Sequence, residues 1–221
     1  MICYILCMDI DYKEVLDYSV IKDVVKEKQT TVRYLSENTG IPPNRLSSII
    51  TGWVYPKSDA VAKIAWALKV PVSKIVRIKL DVDPKKAKWF EGKEAPYSPP
   101  EESTGKVSYF PLRALMTEYL EYINIAKDKD YTEKDLFDKI EPYRRRNGLI
   151  TPVDKDAVRK SLIARGYDPD YKSKVERHYE AKGLPPKTRT KLKNDRPLSM
   201  RTIYDICNFF GCSIDWVMSY K

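Results

Sequence analysis

Four basic side chains, Lys187, Arg189, Lys191 and Lys193, alternate through the stretch PPKTRTKLKND, and three adjacent arginines, Arg144, Arg145 and Arg146, stand upstream of it. Cations at this density can neutralise phosphate oxygens, with the arginine triplet suited to enter a groove. From Lys172 to Arg201 there are ten basic residues and three acidic ones, with Tyr171 and Tyr179 near the start. The net charge is +9 and the pI is near 9.2, which suits an anionic partner. The excess is local: residues 1–76 hold ten basic and eight acidic residues, residues 141–221 eighteen and ten. A solvated charged face is the ordinary alternative for such a run. Other chemistry is thinly supplied. Cys3/Cys7 and Cys207/Cys212 lack the spacing of a zinc ribbon, and His178 is the only histidine. The sequence therefore predicts no metal site, no disulfide framework and no cofactor. It has no HExxH, no GxSxG and no Gly-rich phosphate loop, so an enzyme is not expected.

The elements that must carry these side chains read as helices. Val20, Ile21, Val24 and Val25 recur at helical spacing between Asp17 and Lys28. Thr30 and Thr31 offer N-cap chemistry for a helix with Val32 and Leu35, and Gly40 ends it. Pro43 fits the first turn of a third helix bearing Leu46, Ile49 and Ile50, which Gly52 stops. Ser58 is expected to cap a fourth helix with Val61, Ile64 and Leu68, and Val72 and Ile75 to start a fifth. Residues 77–109 are rich in proline and charge and read as an extended linker, with Trp89, Phe90 and Tyr97 as anchors. Beyond it, Leu112, Leu115, Met116, Tyr119, Leu120 and Ile123 define an amphipathic helix. Thr132 caps a short helix carrying Leu136, Phe137 and Ile140, and DAVRKSLIARG forms another. MICYILCM is too short, and too soon ended by Asp9 and Asp11, for a leader or a membrane span. Met8 is a plausible alternative start. Reduced cysteines in the cytoplasm fit best.

Five short helices with a tight turn between the second and third resemble the XRE family, the phage-repressor/Cro type of helix-turn-helix. The resemblance lies in Thr31, Leu35, Gly40-Ile41, Leu46-Ser47, Ile49, Gly52, Pro56, Ser58, Ile64-Ala65, Leu68 and Val70. It covers about sixty residues, 17–76. It implies that the third helix enters the major groove of double-stranded DNA while the second crosses the backbone. Pro43 stands where the family often has a polar base-reading residue, so base contacts shift to Asn44, Arg45, Ser47 and Ser48. Arg33 and Lys57 join the arginine triplet and the four alternating cations as expected phosphate contacts.

A second copy follows near the C-terminus. Gly40-Ile-Pro-Pro aligns with Gly183-Leu-Pro-Pro, Ile49 with Leu192, Pro56-x-Ser58 with Pro197-x-Ser199, and Val72 with Ile214. Arg189 falls at the Leu46 position and Asp195 at the Gly52 position. Two layouts remain open: the copy runs over 110–221 with residues 141–182 inserted between its second and third helices, or 156–182 supplies its first two helices compactly. The expected fold is all-α, with two small helical bundles of the lambda-repressor-like type at 1–76 and 110–221. They are joined by the 77–109 linker, which would set the distance between two reading heads. The expected function is a repressor-like, sequence-specific DNA-binding regulator of bacterial or phage type, working alone or as a homodimer. The competing expectation is a protein-binding module on the same scaffold, such as an antitoxin or a phage-encoded inhibitor of host defence, with the aromatic segment Tyr109, Tyr119, Tyr122, Tyr131, Phe137 as partner surface.

Overall fold

The computed structural model describes residues 15–80, 88–95, 104–140, 160, 163–164 and 183–221. These residues are mostly helical, and one order of elements occurs twice. The first repeat runs β1 (Leu16–Asp17), α1 (Val20–Glu27), α2 (Val32–Thr39), α3 (Pro43–Ile50), α4 (Ser58–Ala67), a 3-10 turn (Val72–Lys74) and β2 (Arg77–Ile78). The second runs β3 (Val107–Ser108), α5 (Phe110–Lys127), α6 (Glu133–Lys139), α7 (Pro186–Lys193), α8 (Met200–Phe210), a 3-10 turn (Ile214–Trp216) and β4 (Ser219–Tyr220). Each repeat closes on itself by an antiparallel strand pair, Leu16 opposite Ile78 and Val107 opposite Tyr220.

The local causes of the helices are visible at their ends. Thr31 sits in extended backbone and its hydroxyl accepts the Tyr34 N–H at 3.1 Å. Thr132 and Asp135 form a reciprocal capping box at the start of α6. Pro43 and Pro186 open α3 and α7 without loss of a helical hydrogen bond. Leu35, Leu46, Ile49 and Ile64 are wholly buried and Leu68 nearly so, as the inward stripe predicts. Leu46→Ala should therefore destabilise the protein by roughly 2–5 kcal/mol. A thermal melt unchanged by that substitution would exclude this register for α3.

Four expectations need correction. Ser58 does not cap α4; Lys57 holds the N-cap position, and Ser58 is the buried first residue of the helix. No α-helix starts at Val72 or Ile75. After Pro71 only one 3-10 turn forms, because the chain must straighten at Arg77–Ile78 to pair with β1. The ends of the presumed linker are strands, since residues 77–78 and 107–108 belong to the two pairs. Its middle is anchored as well: Trp89 lies edge-on to Tyr119 at 5.8 Å and Phe90 edge-on to Trp216 at 5.3 Å, with the Lys93 ammonium 3.6 Å from the Trp89 ring centroid. Tyr97 and residues 1–14, including Cys3, Cys7 and Met8, lie outside the described residues.

The two repeats are packed together, not merely tethered. The buried apolar residues of both repeats form one contiguous cluster, so the spacing between them is set by packing and not by chain length. Ser58 N–H donates to the Leu198 carbonyl at 3.0 Å, and the Ser58 hydroxyl meets the Leu198 N–H at 2.9 Å and the Tyr109 hydroxyl at 2.8 Å. Between the two 3-10 turns, the Ser73 N–H donates to Asp215 Oδ1 at 3.0 Å. Burial pushes the Asp215 carboxyl above its ordinary value, against the Ser73 and Val72 hydrogen bonds that favour ionisation. A carboxyl raised in the folded state binds more protons there than when unfolded. Its contribution to stability therefore improves as pH falls through the raised value and is lost above it. Asp215→Asn keeps an acceptor for Ser73. Its melting temperature near neutral pH should equal or exceed that of the unmodified chain, with the gap closing in acid. A variant that loses several degrees near neutral pH would show the charge to be favourable.

Among the described residues no helix is long and apolar enough to cross a membrane. Cys207 and Cys212 are buried free thiols, and Cys207 lies within α8 as a small apolar side chain; burial pushes its thiol up.

Candidate nucleic-acid interface

Gly40, with φ +68°, ends α2 in the left-handed conformation, and only Ile41 and Pro42 separate it from α3. Ile41 is buried beneath this turn, so α3 is fixed against α2 while its outer face stays open. On that face Asn44, Arg45 and Ser47 are exposed and Ser48 is half-buried. The Asn44 side-chain oxygen accepts the Arg45 N–H at 2.8 Å, and the Ser48 hydroxyl donates to the Asn44 carbonyl at 2.9 Å. Residues 44, 47, 48 and 51 share one stripe of a helix, which adds Thr51 to the residues singled out from the sequence. The signal was present as the i+7 position of Asn44. On α2, Arg33 is 88% exposed and its Nε is 2.9 Å from Glu37. An ion pair so open to solvent is weak enough to yield to another anion.

The second repeat rebuilds the same turn across a long interruption. α6 ends at Lys139, and just ahead of α7 the Leu184 N–H donates to the Phe137 carbonyl at 2.8 Å. Gly183 takes φ +71° and Leu184 is buried, matching Gly40 and Ile41. This favours the layout in which residues 141–182 are inserted between the second and third helices; of the helix expected at 156–166, residues 160, 163 and 164 are described and are helical, and the rest lies outside the described residues. Arg144, Arg145, Arg146 and His178 lie outside the described residues.

On α7, Lys187 and Lys193 are exposed and Lys191 half-buried. The stripe matching residues 44, 47, 48 and 51 is Lys187, Thr190, Lys191 and Asn194, which adds Thr190 and Asn194 to the residues singled out from the sequence. Arg189 does not belong with the outward cations. It stands at the inward Leu46 position, donates through Nε to the Leu184 carbonyl at 2.9 Å, pairs with Asp138, and lies 5.6 Å from the Phe137 ring centroid. It holds the α6–α7 turn.

Asp195 takes the left-handed backbone of Gly52, with φ 50°. Burial of its carboxylate opposes ionisation, but Arg113, Lys221 and the Tyr109 N–H hydrogen-bond it and hold the carboxyl below its ordinary value. This closes the end of α7 against α5. Between the repeats a cleft of about 520 Å³ is lined by Trp53, Val54, Lys57, Ser199 and Arg201 among others, and exposed Lys57 is at its edge. Thus α3 carries uncharged hydrogen-bonding groups plus one arginine, and α7 carries three lysines. The chain matches no known family model, no curated protein and no solved structure.

Proposed function

We propose that this chain is a sequence-specific DNA-binding regulator, repressor-like and of bacterial or phage type, acting in the cytoplasm by occupying operator DNA. In this reading α2–α3 is a helix-turn-helix of the XRE kind and α6–α7 a diverged second one. The observation that carries it is the open polar stripe of Asn44, Ser47, Ser48 and Thr51, with Arg45 beside it, on a helix locked to its predecessor by the Gly40–Pro42 turn. A rigid helix showing amide, hydroxyl and guanidinium groups is what major-groove readout requires. Lys187, Lys191 and Lys193, with Arg33 and Lys57, supply phosphate affinity that carries no sequence information.

Selecting bound duplexes from a random pool tests this reading directly; an enriched motif supports it, and a pool left unenriched at low salt sinks it. Within the selected motif, Arg45→Ala should cost about 1–3 kcal/mol and relax preference at one position. Unchanged affinity and motif would remove Arg45 from the reading set.

A second reading, a protein-binding module such as an antitoxin or an inhibitor of host defence, is favoured by one observation. Along α5, Tyr122 is 54% and Ile125 85% exposed, next to the Trp89–Tyr119 aromatic contact. A protein partner that co-purifies in fixed ratio, and is lost with Ile125→Asp, would support it.

A further inference from the structure

We infer that the two repeats form a built-in dimer whose DNA partner is a single non-palindromic element, bound by one chain at one fixed spacing; the inference rests on the DNA-reading function proposed above. A two-fold interface has a recognisable signature: if residue i of one copy meets residue j of the other, the counterparts of i and j meet as well. Here Lys57 bridges Ser199. Lys57 and Ser199 are the N-cap residues of α4 and α8, and so are themselves counterparts that meet across the axis. Beside them Ser58 and Leu198 exchange hydrogen bonds at 3.0 and 2.9 Å. Ser73 and Asp215, which are themselves counterparts, meet each other at 3.0 Å, as residues on a two-fold axis do. The repeats are thus related by an internal two-fold axis, and equivalent segments form the contact.

The contact is not a hinge. Ser58 is wholly buried, with its hydroxyl shared between the Tyr109 hydroxyl and the Leu198 N–H. The surrounding side chains belong to the one contiguous core. Pulling the repeats apart would break these hydrogen bonds and expose the shared apolar core to water. α3 and α7 are consequently held as the two jaws of one rigid clamp.

Their outer faces are chemically unlike. α3 offers Asn44, Arg45, Ser47, Ser48 and Thr51, and α7 offers Lys187, Thr190, Lys191 and Asn194. Two identical half-sites would suit one jaw and waste the other, so the favoured element has two dissimilar halves. Because both jaws are in one chain, occupancy does not wait on association of two chains.

The full chain and duplexes enriched from a random pool provide the test. Stoichiometry is read by native mass spectrometry, and affinity is measured on the enriched duplex with 5 or 10 base pairs inserted between its halves. The expected result is a motif without dyad symmetry, one chain per duplex, and a loss of about tenfold or more at both insertions. Ten base pairs restore helical phase but add roughly 34 Å, which a packed contact cannot span. Recovery of affinity at the ten-base-pair insertion would overturn the fixed clamp. A palindromic motif with two chains per duplex would overturn the built-in dimer while leaving DNA reading intact. A pool that yields no motif would overturn the DNA reading and this inference together.

Discussion

Gly183→Ala is expected to destabilise the protein by upwards of about 4 kcal/mol, whereas Gly40→Ala, its counterpart, should cost only about 1–2 kcal/mol. Both glycines hold left-handed backbone, φ +71° and φ +68°, so both substitutions carry the conformational penalty of an L side chain there. Their surroundings differ. Around Gly40 an added methyl meets open space. At Gly183 it would run into the Phe137 carbonyl oxygen and the Asp138 Cα, which are backbone atoms of α6 and cannot swing aside. Relief requires moving α7 away from α6, which breaks the Leu184–Phe137 hydrogen bond and unseats Leu184 and Arg189. Chemical denaturation of the two variants side by side measures the difference. Equal losses would mean that the chain does not re-enter against α6 as described.

That tight approach explains which parts of the fold were legible. Thr31, Gly40, Pro43, Leu46 and Ile49 act on neighbours within a few residues, through capping, left-handed backbone and helical periodicity, and each is where the sequence implies. The strand pairs were not legible. A strand of two residues has no alternation to detect, and the partner of β1 lies beyond four intervening helices. The role of Ser58 was hidden by distance, because its partners Tyr109 and Leu198 are far along the chain and a serine before a helix ordinarily reads as a cap. The linker misled through composition: proline and charge suggest extension, yet Trp89 and Phe90 pack their half-buried rings against α5 and the last 3-10 turn.

The candidate site divides along the same line. Asn44, Arg45, Ser47 and Ser48 followed from placing Leu46 and Ile49 inward, since the remaining positions of a short helix must face out. Arg189 was misassigned because a guanidinium among lysines reads as one more solvated charge. Its alignment with Leu46 marked it as inward, and the Phe137 ring, the Leu184 carbonyl and Asp138 supply what an arginine needs to occupy that place. Which layout the second repeat follows depended on where the chain returns after residue 140. Nothing local to Gly183 reveals that its neighbour in space is Phe137.

Removing Lys187, Lys191 and Lys193 together by alanine substitution should weaken binding to all duplexes alike and flatten the dependence of log K on log salt by about 0.9 for each phosphate no longer neutralised. If each lysine neutralises one phosphate, the slope changes by roughly 2 to 3 units. Arg189 is left in place because its guanidinium is engaged within the repeat, and its removal would confound affinity with stability. None of the three lysines is buried, so the triple variant should melt close to the parent chain. The motif selected through Asn44, Arg45, Ser47 and Ser48 should survive, because phosphate contacts set register and affinity without distinguishing bases. Titrations across a salt series, with melting curves alongside, separate the outcomes. An unchanged slope, affinity and motif in a folded triple variant would show that α7 touches no DNA, leaving the second repeat to serve as the fixed partner against which α3 is braced. A vanished motif with an unchanged slope would instead make the α7 lysines base readers, and the division of roles between the two helices would have to be reversed.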